Sequence, residues 1–123
     1  MMMENGWAGR VLMVGAGIVG AVGVMAAARA SHGGESRNLG AIAMICLAHG
    51  PALLGLALAG RGRLLLASGI VLAAGTALFA ADLGIREWLG HALLPGAAPL
   101  AGGTMVLGWI GIAFSGAIGL RKT

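Results

Sequence analysis

Few side chains in this sequence could do chemistry, and each stands nearly alone. His49 lies in the middle of a 23-residue uncharged run, directly before Gly50 and Pro51. An ionisable group at that depth in an apolar segment is by default a candidate for proton or ion handling. The plainer reading is a neutral imidazole. It would donate to a neighbouring helix, or to the Leu47 carbonyl that Pro51 leaves without a donor. Asp82 closes another uncharged run, and Arg86 follows four residues later. That spacing puts both on one helix face, where they can pair; Arg29, from another segment, is the competing partner. His32, His91 and Glu35 offer donors of the kind zinc or copper accepts, but their spacing is that of no compact metal site. No metal and no cofactor is therefore expected. Cys46 has no basic neighbour in the sequence and reads as a small apolar residue. No serine, threonine or cysteine has a base and an orienting group close by. The expectation is no catalytic residue, and a protein that is not an enzyme.

The elements that hold these residues follow from composition. Of 123 residues, 59% are hydrophobic and 10% charged, with 24 glycines, 3 prolines and a net charge of +4. The mean hydropathy is +0.94. Disorder is excluded, because it needs low hydrophobicity and high charge. A collagen repeat and a disulfide scaffold are excluded by the aperiodic glycines and the single cysteine. A small soluble globule could not hide this much apolar surface. A polytopic membrane protein remains. Charges divide the chain into uncharged runs at 11–28, 38–60, 64–81 and 92–120, of 18, 23, 18 and 29 residues. A membrane-crossing helix needs about 20 such residues at about 1.5 Å each. The fold expected is all-α: one transmembrane domain, 1–123, forming an up-down-up-down four-helix bundle. Its spans are 9–30, 39–60, 64–82 and 100–120. An outer loop or interfacial helix occupies 83–98, either continuing the third helix or lying along the membrane. Pro95, Gly96 and Pro99 end it before the fourth span.

Two motifs near the start imitate other proteins. Gly15-Ala16-Gly17-Ile18-Val19-Gly20 reads GxGxxG, with Glu35 about 20 residues on. A dinucleotide fold needs alternating strands and helices, and no later segment reads as a bounded strand. Arg10, the apolar stretch and Ala28-Arg29-Ala30 resemble a secretory signal. The apolar run is too long, however, and a basic residue interrupts the small-residue motif.

Orientation follows from the basic residues at the span ends. Arg10, Arg61, Arg63, Arg121 and Lys122 share one side; Arg29, Arg37 and Arg86 share the other. Five against three predicts both termini in the cytoplasm. The inner arginines suit anionic lipid headgroups. They are too few and too isolated from aromatics for nucleic acid, and no nucleic-acid partner is expected. In lipid, helices associate through close backbone approach at small residues. The candidate packing positions recur every four residues: Ala16 and Gly20, then Gly23 and Ala27, in the first span; Gly69, Ala73, Ala77 and Ala81 in the third; Gly111, Ser115 and Gly119 in the fourth.

Several segments together resemble a known family. They are Gly20-Ala21-Val22-Gly23-Val24 running to Ala30-Ser31-His32-Gly33, and Leu47-Ala48-His49-Gly50-Pro51-Ala52-Leu53-Leu54. Two more follow: the stretch from Gly75 through Asp82 to Arg86, and Ala98-Pro99-Leu100-Ala101-Gly102-Gly103 followed by Gly108-Trp109. In this order they resemble the YgdD/YwdK-like family of small membrane proteins, departing from its usual pattern at Ser31, Gly34 and Ala101. The resemblance implies a four-helix bacterial inner-membrane protein, with relatives in mitochondria and no established activity. The expected partners are the lipid bilayer and either subunits of a larger membrane complex or further copies of the chain. The function expected is a structural or accessory subunit. The alternative is a small transporter, or an ion- or metal-binding membrane protein, that uses His49 and Asp82.

Overall fold

The computed structural model describes the backbone of residues 2–33 and 36–122, and the side chains of 6–33 and 36–119. Gly34 and Glu35, and the side chains of Arg121 and Lys122, lie outside the described residues. Four helices follow in order: α1 (Met2–His32), α2 (Arg37–Ala59), α3 (Arg63–Leu89) and α4 (Ala97–Lys122). No strand occurs among the described residues, and the GxGxxG segment lies inside α1. All four helices are long and apolar enough to cross a membrane. The chain is an all-α, multi-pass membrane protein.

Local chemistry sets the helix ends. Ser36 caps α2: its Oγ accepts from the Leu39 amide at 3.2 Å, satisfying one of the donors a helix start leaves open. The turn from α2 to α3 takes three residues and depends on Gly62 at φ +85°, a conformation costly for any side chain. α3 runs on to Leu89, the first of the two possibilities for 83–98, and stops at Gly90, φ +78°. There the Gly90 amide returns to the Arg86 carbonyl at 3.2 Å, a left-handed helix stop. Pro99 does not precede α4, as expected, but sits in its first turn. Its missing N–H has no helical acceptor there and costs nothing. α2 continues through Pro51 without interruption.

The helices alternate in direction and pack as two hairpins. α1 lies along α2, and α4 along α3; α3 also meets α1 and α2. Among the described residues, the α4 backbone approaches α3 but neither α1 nor α2. The core runs through Leu12, Leu53 and Leu72, none exposed. Glycines mark the closest approaches. A Cβ on Gly50 would stand 3.1 Å from the Gly20 nitrogen; one on Gly75 would stand 2.9 Å from the Met105 nitrogen. A Cβ on Gly108 would stand 3.0 Å from the Leu72 nitrogen, and one on Gly111 would meet the Ser68 side chain. Gly23 accommodates Leu47 and Cys46, and Gly69 accommodates Leu12 and Leu56. Gly20 contributes its backbone, since a Cβ of its own would meet nothing. Ala73 is half-buried against the core, and Ser115 is half-buried beside the Arg61–Leu64 turn.

The small-residue stripe expected on α3 does not stay in the interface. Gly69 is buried and Ala73 half-buried, but Ala77 and Ala81 are exposed. Each four-residue step overshoots a full turn by about 40°, so a strict stripe winds off the contact. The buried positions Ser68, Leu72, Gly75, Asp82 and Gly69, Leu72, Thr76, Leu83 follow mixed steps of three, four and seven, which stay on one face.

Candidate functional site

His49 stands near the middle of α2, Thr76 near the middle of α3 and Trp109 near the middle of α4. The three side chains form one hydrogen-bonded chain. Trp109 Nε1 donates to His49 Nε2 at 3.1 Å. His49 Nδ1 lies 2.8 Å from Thr76 Oγ1, and Thr76 Oγ1 donates to the Leu72 carbonyl at 2.8 Å. The direction of every proton follows. An indole N–H can only donate, so Nε2 must accept. The imidazole proton therefore sits on Nδ1 and is given to Thr76. The threonine hydroxyl, having accepted, passes its own proton to Leu72. The imidazole is neutral and a single tautomer satisfies every atom. The His49 and Trp109 rings are tilted by 53°, with centroids 5.7 Å apart. His49 is 6% exposed and Thr76 is not exposed at all.

Packing explains how residues 27 and 60 positions from His49 reach it. Gly108 lets α4 settle directly on the Leu72 backbone. Its neighbour Trp109 then extends past α3 and touches α2. On α2, the adjacent Gly50 lies against Gly20 of α1. All four helices therefore meet at one level.

A second polar cluster lies at the Leu93 end of the bundle. Asp82 is fully buried: Arg86 Nε donates to its Oδ2 at 2.9 Å, and the Leu93 amide to its Oδ1 at 2.8 Å. Arg86, not Arg29, is its partner. Asp82 thus ties the α3–α4 connection down onto α3. Ser36, while capping α2, also donates to Glu87 Oε1 at 2.6 Å, joining the α2 start to the α3 end. His32 ends α1 on the surface; His91 lies in the α3–α4 connection, its Nδ1 2.9 Å from the Ala92 carbonyl. Among the described residues, no three histidine, cysteine or acidic side chains converge as metal ligands.

His49 and Asp82 are not brought together. Thr76, the partner of His49, precedes Asp82 by six residues, about 9 Å of helix rise. Among the described residues, every buried side-chain nitrogen and oxygen has a partner. Comparison with family models, curated proteins and solved structures finds no match to this chain. Thr76 and Trp109 are the residues that sequence reasoning does not pick out for this site. A threonine inside the uncharged run 64–81 is one available signal, since its hydroxyl needs a partner there as the His49 ring does.

Proposed function

We propose that this protein is a structural or accessory subunit, not an enzyme, that packs within or beside a larger membrane complex. The observation that carries the reading is the closure of its polar interior. Both His49 nitrogens and both Asp82 oxygens are engaged within the chain. A carrier site keeps donors or acceptors available for its cargo; here they tie helices together. The two residues that a transporter would use lie in separate networks. The resemblance to the YgdD/YwdK-like family supports a bacterial inner membrane, and the five basic residues against three at the span ends support cytoplasmic termini.

Extraction in mild detergent, followed by identification of what travels with the protein, tests the proposal. A stoichiometric larger membrane protein is expected. A monodisperse 12.1 kDa species, or a bare homo-oligomer, overturns it. Transport through His49 and Asp82 loses its basis if His49→Ala and Asp82→Ala cells, expressing normally, keep the wild-type phenotype.

A further inference from the structure

α1 and α3 meet at Leu12 and Gly69, towards the Arg61 end of the bundle. Towards the Leu93 end a groove of about 420 Å³ opens between them, with α2 as its third wall. That volume lies within the usual range of small-ligand sites. Val22 and Ala26 of α1, Ile42 of α2 and Ala80 of α3 line it, and Arg29 and Trp88 stand at its end. From Val22 to Arg29 is seven residues, about 10 Å, within one leaflet's share of a roughly 30 Å hydrocarbon layer. Beyond Val22 the α1–α2 seam is shut, because Gly50 packs directly on the Gly20 backbone, where a Cβ would stand 3.1 Å from the Gly20 nitrogen. Gly84 keeps the wall open beneath Trp88, whose indole lies 3.5 Å from where a Cβ would stand.

The groove is therefore apolar along its length, closed at depth and cationic at its mouth. We propose that it holds one acyl chain of a phospholipid from the adjoining leaflet, with the lipid phosphate on Arg29. The charges are complementary: a guanidinium presents a fork of N–H donors that matches phosphate oxygens. Trp88, 63% exposed, sits at the headgroup level, where indoles concentrate. A protein helix, about 10 Å across, is too wide to follow a narrow blind groove.

The test reconstitutes the full chain in nanodiscs of phosphatidylethanolamine and phosphatidylglycerol, releases it into detergent and weighs it by native mass spectrometry. Wild type is expected to retain a phospholipid adduct. Gly84→Leu fills the groove and should carry one phospholipid fewer. Arg29→Ala should retain it roughly fivefold less, the effect of one basic residue at a membrane surface; Arg29→Lys should recover part of the loss. Leu107→Ala, on the outward face of α4, should retain as much as wild type. Arg29 lies at the surface of a helix end, so its variants decide the question even if Gly84→Leu fails to fold. No adduct, equal retention in wild type and the groove variants, or an adduct with the mass of a fatty acid or a peptide overturns the proposal.

Discussion

At the residue scale, His49 is a fastener. Its imidazole accepts from one helix and donates to another, so its worth depends on both partners. Thr76→Val keeps the volume and removes the hydroxyl, leaving the His49 Nδ1–H without an acceptor. In thermal unfolding in detergent this should cost about 1–2 kcal/mol, while Thr76→Ser should retain most of the stability. Trp109→Phe removes the donor to Nε2 together with part of the ring that packs on His49, and should cost at least about 0.5–1.5 kcal/mol by the same measurement. A double-mutant cycle of His49→Ala with Trp109→Phe should show coupling above about 0.5 kcal/mol. Additive losses would remove the fastening role. His49 was legible because a polar residue in an uncharged run demands a partner. The partners were not, since a lone threonine or tryptophan in such a run carries no sign of which residue it faces. Trp109 reaches His49 only because Gly108 brings two backbones together, and that is a property of the packed pair.

At the element scale, glycines of one composition do two different jobs. Gly75 and Gly108 stand against backbone that cannot yield by a rotamer change. Gly75→Ala should therefore lower the unfolding midpoint, by about 1–3 kcal/mol as overpacking does. Gly102 and Gly116 face open space. Gly102→Ala or Gly116→Ala should be neutral, or stabilising by up to about 1 kcal/mol, because alanine is the better helix former. Equal effects at all four positions would contradict the assigned approaches. The presence of four helices was readable from the gaps between charges, but their extents were not: α1 runs through Arg10 and Arg29, and α3 continues past Asp82 to Leu89. Which glycines touch was readable only in part. Repetition every four residues picks out Gly69 and Gly111 but carries Ala77 and Ala81 to the surface, and it passes over Gly50, Gly75 and Gly108.

For the whole molecule, alternating helices separate two polar ends. The Arg61 end carries the short α2–α3 turn; the Leu93 end carries the Asp82 and Glu87 clusters. The surplus of basic residues predicts the Arg61 end in the cytoplasm. Cys46 is 1% exposed and should not react with a membrane-impermeant maleimide, so the native chain serves as background. His91→Cys should then label in intact cells, and Arg61→Cys only after permeabilisation. The reverse pattern would invert the orientation. The number of spans follows from the spacing of charges along an apolar chain. That α4 leans on α3, away from the α1 and α2 backbones, does not: every helix here has an apolar circumference, and only shape complementarity between particular small residues ranks the pairings.

The bond between Trp109 and His49 joins positions 60 residues apart, and a ribosome makes that distance take time. At about 5–20 residues per second, the tryptophan is synthesised roughly 3–12 seconds after the histidine. Thr76 arrives sooner, being 27 residues away. During biogenesis α2 therefore holds an imidazole whose second nitrogen awaits a helix not yet made. The newly inserted α1–α2 hairpin must shelter that nitrogen, or keep it at the headgroup level, until the last segment arrives. The order of synthesis thus makes α4 the part that completes the interior of this protein.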